Sequence, residues 1–564
     1  MAASTPTSPN EAPQRPSGDI HPLEAVRRQK LQRIRELGFD PYGLRVEGLV
    51  SLAKARRLYD PAADEAHKAH SQEEGFVDRR PVVTVAGRVM LHRDNGSLVW
   101  MQLRDASVEL EAAAEPSDEE QGRRVHDLQI AVSRRDCDER GFQLAKLVDL
   151  GDIVVAEGPL TKTRTGEITI WCSRLSMASK SLAPPPEKWA GLQDVEARVR
   201  RRHIDLYANP RAMRVALLRP RIVSRIRRFL DERGFVEMET PVLQALPGGA
   251  AARPFVSRLN ALDMPVYLRI ATELHLKRLL VGGIPRVYEL GRIFRNEGVD
   301  RQHNPEFTSV EVYEAFGDCW SMLELTEELI RSLAHFVAVE AAPAEVEPED
   351  VDPTSVQLPF GELTIDYGSP FARVRYSELF ERALGCSPFD ADRVVAEARR
   401  RGLAHEGLDP ILVANELFEQ VAEKTLDPER PTFVTHYPSA LSPLARPDPE
   451  DPRLAQRWDL FIGGMEIGPA YTELNDPDVQ AEKFLQQLAG ADEEERAFRT
   501  FDADFIEALK VGMPPAGGLG LGVDRLVMLL TDSRTIRDVI LFPFVRPLEA
   551  QAGADGGGPP TPQA

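Results

Sequence analysis

The residues best suited to chemistry lie in Phe294-Arg295-Asn296-Glu297-Gly298 and, a little further on, in Arg301-Gln302-His303-Asn304-Pro305-Glu306-Phe307. An arginine offers a planar fork of donors that neutralises and orients a phosphate. Glu297 can accept from an exocyclic amine, and Phe307 can stack on a base. Together with Arg295 they suit a nucleotide. A second arginine should complete such a grip, and Gly517-Gly518-Leu519-Gly520-Leu521-Gly522-Val523-Asp524-Arg525 supplies it. Alone, an arginine-and-acid cluster before an apolar run is more often a solvated loop; two such segments in this order argue for a site.

The elements that must position these residues belong to a large mixed region from about 195 to 548. Leu218, Ile222, Ile226 and Phe229 recur at helical spacing, Gly234 closes that helix, and Phe235 to Pro241 extends. Pro220 falls inside the apolar pattern and is expected to kink the helix or mark its first turn. Gly518, Gly520 and Gly522 stand directly before Asp524-Arg525 and an apolar helix. They read as permitting close approach of backbone to substrate rather than as a dinucleotide fingerprint. Residues about 376–430 read as a helical insertion, with Val394, Ala398, Val413, Leu417 and Val421 on apolar faces.

Upstream, about 80 to 182, short β-rich runs (Val82 to Met90, Leu98 to Leu103, Ile153 to Ala156, Glu167 to Trp171) alternate with the turns Asp94-Asn95-Gly96 and Arg164-Thr165-Gly166. This spacing suits a small OB-type barrel. Residues 21–79 are charged and helical in pattern, with Leu31, Ile34 and Leu37 before a Gly38 stop. Pro184-Pro185-Pro186 marks a linker over 183–198, ahead of a domain over 199–548. Residues 1–20 and 549–564 carry too few apolar side chains to fold and are expected to be mobile tails.

A chain of 564 residues supports two or three domains. A net charge of −20 counts against a general nucleic-acid binder, though not against a local basic face. Arg27 to Arg35 and Arg198 to His203 are such runs, read equally well as solvated helix faces or as RNA contacts. With no long apolar stretch and no signal-peptide pattern at the start, a cytoplasmic protein without membrane contact is expected. Cys137, Cys172, Cys319 and Cys386 have no metal-ligand spacing and are expected to be buried small residues.

The segments around Arg295 and Arg525 resemble motifs 2 and 3 of the class II aminoacyl-tRNA synthetases, and the helix and strand ending at Pro241 resemble motif 1. Pro247 to Phe255, Leu268-Arg269-Ile270-Ala271-Thr272-Glu273-Leu274 and Glu466 to Asp476 are similar to the lysyl-tRNA synthetases in particular, over about residues 80 to 548. The resemblance implies an α+β chain: an OB-fold anticodon-binding β-barrel, then a catalytic domain with an antiparallel sheet flanked by helices. It implies a homodimer formed through the motif 1 helix and strand. The implied reaction attaches L-lysine to tRNA. The lysine carboxylate attacks the α-phosphorus of ATP, pyrophosphate leaves, and a terminal ribose hydroxyl of tRNA takes the lysyl group from the adenylate.

The resemblance also implies roles. Arg295 meets the α-phosphate and the reacting carboxylate, His303 and Arg525 lie toward the terminal phosphates, and adenine stacks between Phe307 and Arg525 with Glu297 on its amine. Asp459 and Glu466 match the Mg²⁺ carboxylates. Glu273 and Glu473, joined by the Tyr313 hydroxyl, meet the side-chain ammonium, the Gly249 carbonyl and Glu311 meet the α-ammonium, and Tyr471 belongs to the same lysine pocket. Buried carboxylates suit that task because an unpaired buried charge costs several kcal/mol.

Several residues depart from the pattern. Pro469 replaces an asparagine that fixes the substrate carboxylate, and proline offers neither a side-chain donor nor an N–H. Asp459 is one methylene shorter than the usual glutamate. In the barrel Trp100 matches the base-stacking aromatic, but Glu109 stands for a glutamine and cannot donate when ionised. An acidic and polar insertion, Glu115 to about Arg140, interrupts that domain. Either the anticodon domain has diverged or the glutamine's counterpart lies elsewhere in it. A paralogue lysylating a protein or small molecule is disfavoured by the OB domain. A non-catalytic regulatory paralogue is disfavoured by the retained Arg295 and Arg525. An aspartyl or asparaginyl enzyme is disfavoured by two glutamates that would repel an acidic side chain.

Overall fold

The computed structural model describes residues 22–107, 127–185, 194–250, 252–342, 346–404, 406–490 and 501–546. The proposed tails, Glu109 and residues 115–126 of the acidic insertion lie outside the described residues. The chain divides into two compact units, one ending at Gln193 and including Tyr207–Pro210, the other made of Asp194–Leu206 and the chain from Arg211 onward.

The first unit holds six strands: β1 (Val82–Asp94), β2 (Leu98–Arg104), β3 (Leu128–Ser133), β4 (Ile153–Lys162), β5 (Ile168–Trp171) and β6 (Arg174–Ser179). Alternate residues of β1, among them Val83, Val85 and Val89, point into the core. The order is β1-β2-β3-β5-β4-β6, and pairing of β1 with β4 closes the sheet into the expected OB barrel. Both expected hairpin glycines are left-handed, Gly96 at φ 84° and Gly166 at φ 90°. The stretch read as one polar insertion is corrected at its end: Leu128, Ile130 and Val132 alternate inward on β3. Charged neighbours hid this short strand. The helix Pro22–Glu36 stops at Gly38 (φ 78°), and its Ile34 shares the barrel core with Leu52 and Ala55. Arg27 is buried and donates to the carbonyls of Leu150 and Ser181, so this residue of the first basic run is a structural anchor.

The second unit is built on an eight-stranded sheet. Its strands are β7 (Val236–Glu237), β11 (Arg286–Phe294), β12 (Glu306–Ala315), β15 (Ala372–Arg375), β16 (Thr432–Thr435), β17 (Arg457–Ile462), β18 (Met465–Thr472) and β19 (Ala516–Gly522), in the order β15-β16-β17-β18-β19-β12-β11-β7. Only the edge strands β7 and β15 run parallel to their neighbours. A small sheet of β8 (Leu243–Gln244), β9 (Val256–Leu259) and β10 (Met264–Leu268) and a hairpin of β13 (Gln357–Phe360) and β14 (Leu363–Asp366) complete the set. The helix Pro210–Asp231 buries Leu218, Ile222, Ile226 and Phe229 in one core with the helices Cys319–Ala341 and Val523–Leu530. Each such side chain stabilises the fold by ~1.5–3 kcal/mol. Pro220 lies within this helix rather than in its first turn.

The insertion forms the helices Tyr376–Leu384, Ala391–Arg401 and Pro410–Leu417 with their own core, in which Tyr376 and Phe418 stack at 4.1 Å. Arg202, in the second basic run, is buried against Asp205 and the carbonyls of Arg537 and Leu541. All four cysteines are buried and free. Among the described residues no helix is long and apolar enough to cross a membrane.

Candidate active site

Strand register shapes the site. Phe307, Glu311 and Tyr313 occupy alternate positions on β12, so they share one face. β19 lies beside it with Gly522 opposite Ser309, Gly520 opposite Glu311 and Gly518 opposite Tyr313. Directly opposed residues point to the same side of a sheet, so the absent side chain of Gly520 leaves space beside Glu311, while Gly518 lets the Tyr313 ring and Glu473 pack against the strand. β18 adds Tyr471, opposite Gly518. The result is a cavity of about 450 Å³ whose lining includes Gly249, Glu273, Arg295, Glu297, His303, Phe307, Glu311, Tyr313, Glu466, Pro469, Tyr471 and Arg525.

The glycines differ in purpose. A Cβ on Gly518 would strike the Glu473 carboxylate and the Tyr313 ring, and one on Gly517 would strike the Asp318 backbone. One on Gly520 would meet nothing nearer than Glu311 Cγ at 3.7 Å. Gly517 and Gly518 thus serve packing inside the protein, and Gly520 fits the sequence reading of a glycine that opens space.

At the amino-acid end, Glu273 opens the helix Glu273–Val281 and Lys277 follows one turn later, bonding Glu273 at 2.6 Å and touching Glu473 as well. Lys277 is fully buried. Burial favours its neutral form, but the two glutamates outweigh this and hold its pKa above the ordinary value. Glu473 is pushed up to about 8 by burial, with Lys277 opposing and Glu273 adding to the rise. The Tyr313 hydroxyl, expected between Glu273 and Glu473, donates instead to Glu311 at 3.3 Å. Glu311 also accepts the Thr272 N–H at 3.0 Å, and burial raises its pKa despite that bond. Gly249 has φ 85°, and a Cβ there would press on Ala271.

At the phosphate end, Arg525 donates to His303 Nε2 at 2.8 Å and to the Glu466 carbonyl at 2.6 Å. Arginine has only donors, so Nε2 accepts and Nδ1 carries the proton toward Asp300, 2.8 Å away. Arg295 holds its guanidinium 5.3 Å over the Phe307 ring, and its buried Nε has no partner. Asp524 takes the Thr308 N–H at 2.6 Å and pairs with Arg219, which ties motif 3 to the long helix.

Of the two metal candidates, Glu466 faces the cavity. Its pKa is raised by the surrounding protein and then by Asp459, with Arg525 opposing. Asp459 is buried, does not line the cavity, and binds Arg457 through both oxygens at 2.9 and 2.7 Å. Glu423, from the insertion, is pushed up to about 7 by burial and by Glu466, Glu419 and Asp459. Among the described residues no three metal-ligating side chains converge. Magnesium is commonly held by one or two carboxylates together with phosphate oxygens, and Glu466, whose carboxyl is raised in part by the charge of Asp459, suits that cation. In the barrel, Trp100 stands edge-on to Trp171, ring centroids 6.1 Å apart.

The sequence model described as tRNA synthetases class II (D, K and N) matches residues 194–546, and that of an OB-fold nucleic acid binding domain matches 83–178. A lysine-tRNA ligase of Pelotomaculum thermopropionicum is 42% identical over 541 residues, covering 94% of this chain and 96% of its own. Those of Enterococcus faecalis and Dehalococcoides mccartyi are 40% and 39% identical, covering 94% and 93% of this chain and 98% of their own. The chain belongs to the lysyl branch of the class II tRNA synthetases. Sequence reasoning missed two charged residues of this synthetase, the buried Lys277 and the part-buried Arg457. Both were readable: Lys277 lies four residues after Glu273 on one helix face, and Arg457 two residues before Asp459 on one strand face.

Proposed function

We propose that this synthetase activates L-lysine with ATP and transfers it to the 3′ end of lysine tRNA. The observation that carries the reading is the pairing, in one cavity, of buried carboxylates at one end with Arg295, His303 and Arg525 at the other. Glu273 and Glu473 receive the side-chain ammonium, Tyr313 and Tyr471 wall it, and Glu311 with the Gly249 carbonyl takes the α-ammonium. Arg295 lines the cavity, where its guanidinium meets the carboxylate and the α-phosphate. No enzyme nucleophile is needed; orientation and charge neutralisation carry the rate.

Arg525 already leans on His303, which orients its guanidinium toward the terminal phosphates, with Glu297 on the adenine amine and Phe307 beneath the ring. Glu466, with Asp459 behind it, would hold Mg²⁺, which would supply charge neutralisation on the phosphates. Pro469 precedes the rungs that join β18 to β19 from Ala470, so its missing N–H breaks none of them, and carboxylate binding falls to Arg295.

The motif 1 strand β7 ends the sheet, and Val236, Val242, Leu243 and Leu246 are 40–52% exposed near it. An apolar edge of this kind fits a homodimer contact. A cytoplasmic location is consistent with these substrates. Acylation of lysine tRNA with labelled lysine tests the function: charging that depends on ATP and Mg²⁺ is expected, and no charged tRNA would contradict it.

A further inference from the structure

We propose that Lys277 sets the charge of the amino-acid pocket, its ammonium cancelling one of the two glutamates Glu273 and Glu473 so that the pocket accepts a single further ammonium. The inference rests on the reading that these glutamates meet the lysine side chain.

Three elements bring charge to this point. The helix Glu273–Val281 contributes Glu273 and Lys277, the residue after β18 is Glu473, and β12 contributes Glu311, which is occupied by the Thr272 N–H and the Tyr313 hydroxyl. Tyr471 and Tyr313 are neutral walls whose hydroxyls burial drives further from ionisation. The helix Ala503–Gly512, packed on the same helix, presents Phe505 and Leu509 rather than charge. Two carboxylates against one internal ammonium leave one negative unit. Glu473 Oε1 is buried without a hydrogen-bond partner and packs where a Cβ on Gly518 would stand, beside the Tyr313 ring that lines the cavity.

This arrangement has consequences for pH. The empty pocket holds a surplus carboxylate, and burial together with Glu273 pushes Glu473 up to about 8 against the pull of Lys277, so it holds a proton more readily than a free carboxylate. A substrate ammonium replaces that proton. The free-state pKa is the higher one, so lysine affinity is full above it and falls by up to about tenfold per pH unit below it. Without Lys277, two carboxylates would face one substrate ammonium and would keep a shared proton even in the complex.

The test is lysine-dependent ATP–pyrophosphate exchange from about pH 6 to 9 for the wild type, Lys277→Met, Glu473→Gln and the double variant, with the KM for ATP as a check on the fold. We expect Lys277→Met, whose two carboxylates keep a shared proton in the free enzyme and in the complex alike, to flatten the pH slope of the KM for lysine. Glu473→Gln leaves a pocket of zero charge and should raise that KM. Adding Lys277→Met to Glu473→Gln restores one negative unit and should improve it about tenfold over Glu473→Gln alone.

A purely structural lysine would make the double variant worse than Glu473→Gln, and that outcome overturns the inference. So does a Lys277→Met enzyme with the parent pH profile. Should Lys277→Met fail to fold, the comparison of the double variant with Glu473→Gln decides. An unchanged lysine KM in Glu473→Gln alone would instead sink the assignment of the pocket itself.

Discussion

Arg525 is held by His303 on one side and the Glu466 carbonyl on the other, so its guanidinium is oriented before any nucleotide arrives. Preorganised cations of this kind act where charge develops, and removing one costs ~10²–10³ in rate. Arg525→Ala should therefore lose exchange by that order while the folded state persists; near-normal exchange would contradict its assignment. The glycines give a contrast on one strand. Gly518→Ala forces a methyl into Glu473 and Tyr313 and should abolish lysine use, whereas Gly520→Ala only touches Glu311 and should leave a folded enzyme with a modest rise in lysine KM. Equal effects in steady-state exchange would refute the distinction.

The elements explain why these residues meet. A period of two on β12, β18 and β19 aligns acids, tyrosines and glycines on one face, and the hairpin after β11 carries Arg295, Glu297 and His303. Much of this was legible. The buried face of the helix Pro210–Asp231, its Gly234 stop and the two hairpin turns of the barrel follow from spacing and from glycine's access to positive φ. Less legible were pairings that depend on tertiary contact. Tyr313 turns to Glu311 because Lys277 already fills the space between Glu273 and Glu473, and Arg27 and Arg202 are buried by distant carbonyls that no local pattern reveals. Strand β3 was hidden by its charged surroundings. Pro220 sits exposed inside its helix, where proline removes an N–H. Pro220→Ala should stabilise the protein by about 1–3 kcal/mol, read as a higher Tm, and a lower Tm would mean the helix is shaped around the proline.

At the scale of the whole molecule, the OB-fold nucleic acid binding match and the class II synthetase match fall largely in separate compact units. Trp100 and Trp171 form one aromatic patch on the barrel, and stacking on such a patch is worth ~1–3 kcal/mol per base. Replacing both with alanine should raise the KM for tRNA tenfold or more, by roughly that energy, and leave tRNA-independent exchange unchanged; an unaltered tRNA KM would remove the patch from the reaction. The account as a whole turns on which amino acid the buried carboxylates of the second unit admit. ATP–pyrophosphate exchange with each of the twenty amino acids and β-lysine measures this directly. Exchange with L-lysine above all others is the predicted result, and exchange with a different amino acid, or none with lysine, would contradict the account.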